Sequence, residues 1–192
     1  MKAPELPPAN TKRSSAETFV DVTAKLSMVM AALAILWGLI QLVLVLALSR
    51  LDMLDVMQSQ GLPLPEAFQW IGRHALSLTA LMLGVSIAFF LVSWAMFKRR
   101  EWGRLGFIVF LVLVALLNFA SLPFIHSLFD SMRSMFPAEF LQSAEGMELR
   151  AQLNSGLWMS LFTGAITAIA FAGLHGWLVI KLQRPDVRAL FH

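Results

Sequence analysis

The chain has 192 residues, 58% of them hydrophobic and 14% charged, against about 25% charged in an average soluble domain, so a water-soluble fold would leave much apolar surface exposed. It contains no cysteine, which excludes a disulfide framework, a thiolate metal site and thiol redox chemistry such as that of quinone-linked disulfide oxidases. The formal charge of +3 does not require nucleic acid, because membrane proteins gather Lys and Arg on one face for topological reasons.

In chain order, residues 1–13 carry Pro4, Pro7 and Pro8 and read as a flexible arm. Ser14 with Glu17 three residues on has the form of a capping box, so a helix is expected to begin near Ser15. It runs into a first apolar span, 26–48. That span exceeds the roughly 7 to 15 residues of a signal-peptide core and follows a polar arm, so it reads as a retained helix. Further spans are 75–97, 105–125 and 157–180. Each is long enough to cross a ~30 Å hydrocarbon core, and in lipid such runs close their own backbone hydrogen bonds as helices. The turn from Lys98 to Arg104 between the second and third spans is tight, which makes those two antiparallel neighbours.

The segments 50–74 and 126–156 are longer. Leu51, Leu54 and Met57 follow helical spacing, as do Ile125, Phe129, Met132 and Phe136, so both read as amphipathic helical loops at the outer surface. Each half of the chain runs from a span through an amphipathic stretch to a Pro-led segment at Pro65 or Pro137. A duplicated hairpin would look like this, and so would the ordinary use of proline in a first helical turn.

Orientation follows from the basic residues. The N-terminal arm, the turn after the second span and the tail hold eleven of the fifteen Lys and Arg; the two longer loops hold Arg50, Arg73, Arg133 and Arg150 against seven acidic residues. The positive-inside rule places both termini in the cytoplasm. The fold expected for residues 14–192 is therefore an all-α integral membrane protein of one domain, a four-transmembrane-helix antiparallel bundle with amphipathic helical outer loops.

In the fourth span, Gly156, Ser160, Gly164, Ala168, Ala172 and Gly176 recur four apart. Such a groove lets another helix approach closely, either within the chain or from a partner, and small residues are frequent enough here that some register would show the pattern by chance in roughly one case in sixteen. The first span carries a matching seam of Ser27, Ala31, Ala34, Gly38 and Gln41. Gln41, Thr79, Asn118 and Thr163 all lie a turn or two inside the outer helix ends and read as an intramembrane polar layer. Pro123 frees the Phe119 carbonyl close to it. His175, on a ladder with Thr163 and Thr167, is the one ionisable side chain within the spans, which argues against ion-coupled transport. His74, His126 and His175 are weak candidates for metal or haem, since no carboxylate or second helical pair accompanies them; no metal site and no cofactor is expected. The basic turn of Lys98, Arg99, Arg100, Trp102 and Arg104 reads as a topology signal in contact with anionic lipid.

No nucleophile elbow, phosphate loop, HExxH or paired carboxylates occur, so no enzyme activity is expected. The leading functional expectation is an accessory or scaffold subunit of the bacterial inner membrane. It would bind other membrane subunits or further copies of itself through the groove and outer loops, with lipids but no nucleic acid as other partners. The alternatives are an oligomeric channel or small-solute transporter, and a His-ligated haem electron-transfer protein.

Overall fold

A computed structural model describes residues 13–50 and 66–192 of the chain. Among these the regular structure is entirely helical: α1 (Ser15–Ser49), α2 (Glu66–Phe97), α3 (Glu101–Ser134), α4 (Ala138–Gln142), α5 (Ala144–Gln183) and α6 (Pro185–Arg188). Four of these, α1, α2 from Phe68, α3 and α5, are long and apolar enough to cross a membrane. The 35 residues of α1 and the 40 of α5 reach roughly 50 and 60 Å at 1.5 Å per residue. The helices therefore run well past the apolar stretches that define the spans.

Local chemistry sets the helix ends. The capping box at the head of α1 forms: the Glu17 N–H donates to Ser14 Oγ at 3.1 Å and the Ser14 N–H donates to Glu17 Oε2 at 3.0 Å. At the end of α2, the Arg100 N–H donates to the Ala95 carbonyl and the Arg99 N–H to that of Met96, both at 3.0 Å. That pair of bonds is a Schellman motif, which puts Arg99 at the position glycine usually takes; its φ of 59° is left-handed.

The segment 126–156 is mostly helical. α3 continues unbroken through Pro123 to Ser134, and Ser143 both ends α4 and starts α5, donating to the Phe140 carbonyl at 2.7 Å and accepting from the Gly146 N–H at 3.1 Å. Gly146 has to be small, because a Cβ there would overlap the Phe140 carbonyl and sit 2.7 Å from Leu141 Cα. Leu51, Leu54, Met57 and Pro65 lie outside the described residues.

α1 packs on α2, α3 on α5, and α2 joins the two pairs through α3, while α1 and α5 share only slight packing. Val20, Ala24, Met96, Phe107, Leu111, Leu182 and Val187 form one buried cluster at the end of the molecule that carries the Lys98–Arg104 turn, here the basic end. Phe89 stacks on Phe107 at 5.6 Å, and Phe19 meets Trp177 edge-on at 6.1 Å. There Gly103 lets α3 meet α2 backbone to backbone, since a Cβ on it would lie 2.6 Å from the Ala95 carbonyl carbon.

Candidate functional site: a polar groove along α3 and α5

Toward the other end, here the far end, each pair stays closed upon itself. A Cβ on Gly38 of α1 would lie 3.1 Å from Leu83 Cδ1 of α2. On α5, one at Gly156 would lie 3.2 Å from Phe129 Cε1, and one at Gly164 3.0 Å from Leu122 Cδ2 and 3.3 Å from Ile125 Cδ1. The small-residue series of α5 is thus divided in its use. Gly156, Ser160 and Gly164 are half-buried and Ala168 is buried, with α3 side chains over Gly156 and Gly164. Ala172 is half-buried, whereas Gly176 is exposed and nothing lies within 4 Å of where its Cβ would be.

Beside this contact lies an open groove of about 520 Å³ lined by Asn118 and Ser121 of α3 and by Met159, Ser160, Thr163 and Thr167 of α5, with Gly156 and Gly164 at its floor. The Asn118 amide donates to the Val114 carbonyl at 2.8 Å, and the Ser121 hydroxyl to that of Asn118 at 2.7 Å. The hydroxyls of Ser160, Thr163 and Thr167 make no hydrogen bond with any described residue. The structure therefore brings together Asn118 and Thr163 of the polar layer, and adds Ser121, Ser160 and Thr167. Spacing alone placed Ser160 with the small residues and Thr167 with His175.

Gln41 and Thr79 belong to the other helical pair. Thr79 is half-buried one turn before Leu83, and Gln41 is exposed with no hydrogen-bond partner among the described residues. The Phe19–Trp177 contact shows which sides of α1 and α5 face each other. At about 100° per residue, Gln41 follows Phe19 by about six turns and Thr163 precedes Trp177 by about four, each returning to within roughly 40° of its reference. Gln41 and Thr163 therefore lie on the two facing sides, but at 1.5 Å per residue Gln41 is about 33 Å along α1 from Phe19 and Thr163 about 21 Å along α5 from Trp177, so the two are not level.

The three candidate histidines are spread over three helices. His74 Nδ1 lies 2.9 Å from the Trp70 carbonyl and its ring stacks on Trp70 at 4.6 Å; His175 Nδ1 lies 2.6 Å from the Phe171 carbonyl. His126 Nδ1 lies 2.9 Å from Asp130 Oδ2, so one of the three does have a carboxylate beside it, contrary to the sequence reading, because residues four apart meet on one helix face. Among the described residues no group of three or more His, Asp or Glu is placed to hold a metal ion.

The basic turn divides by role. Arg99 Nη2 donates to Asp21 Oδ1 at 2.5 Å and to the Glu17 carbonyl at 3.3 Å, tying the end of α2 to α1. Arg104, 4% exposed, donates through Nε to Glu101 Oε2 at 2.8 Å, through Nη2 to the other Glu101 oxygen, and through Nη1 to the Leu182 carbonyl of α5 at 3.2 Å. Sequence spacing did not reveal these structural roles, because Asp21 and Leu182 lie some eighty positions away.

Compared with protein-family models, with curated proteins and with solved structures, the chain matches none.

Proposed function

We propose that this chain is an accessory or scaffold subunit of the bacterial inner membrane, an antiparallel four-helix bundle with cytoplasmic termini whose open far half receives a transmembrane helix of another subunit. The observation that carries the reading is the groove of Asn118, Ser121, Ser160, Thr163 and Thr167 at the depth of the apolar spans, with three hydroxyls that bond to no described residue. A polar group facing hydrocarbon without a partner is costly. Interhelical bonds from a partner's Ser, Thr, Asn or Gln would satisfy such groups, at about 1 kcal/mol each. The small floor at Gly156 and Gly164 also allows close approach. The unfilled surface at Gly176 offers a second contact.

A photo-crosslinking amino acid tests the reading in native membranes. At Met159 or Ser121 it should give adducts of one or two discrete masses, and at Leu113 or Val109, on the exposed faces of α3, it should not. Uniform labelling, or none at all four positions, would remove the proposal's support.

A small-solute path lined by Gln41 and the polar groove is the second reading, favoured by the open groove of Asn118, Ser121 and Thr163. It predicts that Gln41→Leu abolishes solute uptake in reconstituted vesicles while leaving the crosslinks unchanged.

A further inference from the structure

We propose that the Lys98–Trp102 turn holds a specific binding site for the phosphate of an anionic lipid headgroup, built by Lys98 and Arg100 between Trp94 and Trp102. The inference is independent of the polar groove and needs only that α2 and α3 cross a membrane. Of the four cations at this turn, two are consumed by the fold: Arg99 by Asp21 and the Glu17 carbonyl, Arg104 by Glu101 and the Leu182 carbonyl. The side chains of Lys98 and Arg100 are exposed and form no ion pair or hydrogen bond with any described residue.

These two line one open pocket of about 630 Å³ together with Trp94, Trp102 and His192. Backbone geometry shapes the pocket. The left-handed backbone of Arg99 turns the chain between Lys98 and Arg100. The His192 N–H donates to the Arg99 carbonyl at 3.1 Å, and the Glu101 N–H to the His192 carbonyl at 3.3 Å, which pins residue 192 against the turn.

The chemistry fits a lipid phosphate. An ammonium and a guanidinium supply up to eight N–H donors between them, and a guanidinium can grip two oxygens of one phosphate. Trp94 and Trp102, 38% and 50% exposed, carry apolar rings and indole N–H groups at the level where α2 and α3 emerge, the position aromatic residues take at a membrane interface. A free anion would use the cations and leave both indoles against water, so the lipid is the source that uses the whole pocket.

The test is native mass spectrometry of the full chain in detergent, titrated with phosphatidylglycerol or with phosphatidylcholine. Wild type should retain phosphatidylglycerol preferentially. Each basic residue near an anionic surface contributes roughly fivefold in binding, so the Lys98→Gln, Arg100→Gln double variant should bind phosphatidylglycerol roughly 25-fold more weakly, with phosphatidylcholine binding unchanged. A control pair, Arg184→Gln with Arg188→Gln, removes equal charge from exposed residues at the same end that do not line the pocket and should leave retention close to wild type. If the double variant loses helicity by circular dichroism, the two single variants replace it, each expected to weaken binding roughly fivefold. The proposal is overturned by an equal loss in the control pair, by equal retention of both lipids in wild type, or by single variants without effect. Displacement of phosphatidylglycerol by millimolar inorganic phosphate would show a free-anion site instead and would equally overturn it.

Discussion

Arg99 and Asp21 meet at 2.5 Å, closing the turn after α2 onto the first helix. Both side chains are about one-fifth exposed, so the pair is neither a solvated surface bridge nor a fully desolvated one. Removing Arg99 leaves Asp21 with only the longer contact to exposed Arg13, and removing the Asp21 charge leaves Arg99 with only the Glu17 carbonyl, which should cost roughly 1–3 kcal/mol. Asp21→Asn and Arg99→Ala are expected to lower the unfolding temperature in detergent. Arg99→Gly should fall less than Arg99→Ala, because glycine holds the left-handed backbone without the ~1 kcal/mol penalty of a side chain there. Equal losses for the two would show that the backbone conformation contributes nothing.

Glu101 and Arg104 form an asymmetric pair, the carboxylate 42% exposed and the guanidinium 5%. Glu101→Ala should therefore destabilise more than Arg104→Met. The first strands a buried cation, whereas the second removes the charge and keeps most of the volume. The expected difference is about 1 kcal/mol or more, measured by chemical unfolding in mixed micelles; the opposite order would place the main role of Arg104 in its bond to the Leu182 carbonyl.

Two helical glycines separate close approach from ordinary propensity. At Gly103 a Cβ would press on the backbone of Ala95 and Met96, whereas at Gly84 nothing lies within 4 Å. Gly103→Ala should cost about 1–3 kcal/mol by forcing α2 and α3 apart. Gly84→Ala should be neutral or stabilising by up to ~1 kcal/mol. Thermal unfolding of both variants in one detergent checks the contrast.

Along α5, overpacking should separate the inner part of the small-residue series from the outer. Ala168 is 1% exposed, so Ala168→Leu should destabilise the isolated monomer by about 1–3 kcal/mol. Gly176→Leu, entering open space, should leave the monomer folded and reduce only copurification of a partner. A Gly176→Leu monomer that fails to fold would place that surface inside the chain.

Orientation is tested on the cysteine-free chain itself. A cysteine at Ser143, between α4 and α5, should react with an impermeant thiol reagent in intact cells, and one at Ser14, the cap of α1, should react only after lysis. Inverse labelling would reverse the proposed topology and with it the leaflet that supplies lipid to the Lys98–Arg100 pocket.

Which features were legible in the sequence follows from the range of the forces involved. The four apolar spans could be read because the requirement to close backbone hydrogen bonds in lipid acts within each segment. The capping box at Ser14 and Glu17 could be read because its two bonds span three residues. The helical spacing from Ile125 to Phe136 was legible on the same local grounds, whereas the extent of α3 to Ser134 and the start of α5 at Ala144, capped by Ser143, were not. Tertiary structure alone decided which side of each helix faces which neighbour. It set α3 rather than α1 against Gly156 and Gly164, separated Gln41 and Thr79 from the Asn118 and Thr163 groove, and divided four neighbouring cations into two that hold the fold and two that face outward. Spacing and charge look alike in all four of those cations. Only the positions of Asp21 and Leu182, distant in sequence and adjacent in space, distinguish Arg99 and Arg104 from Lys98 and Arg100.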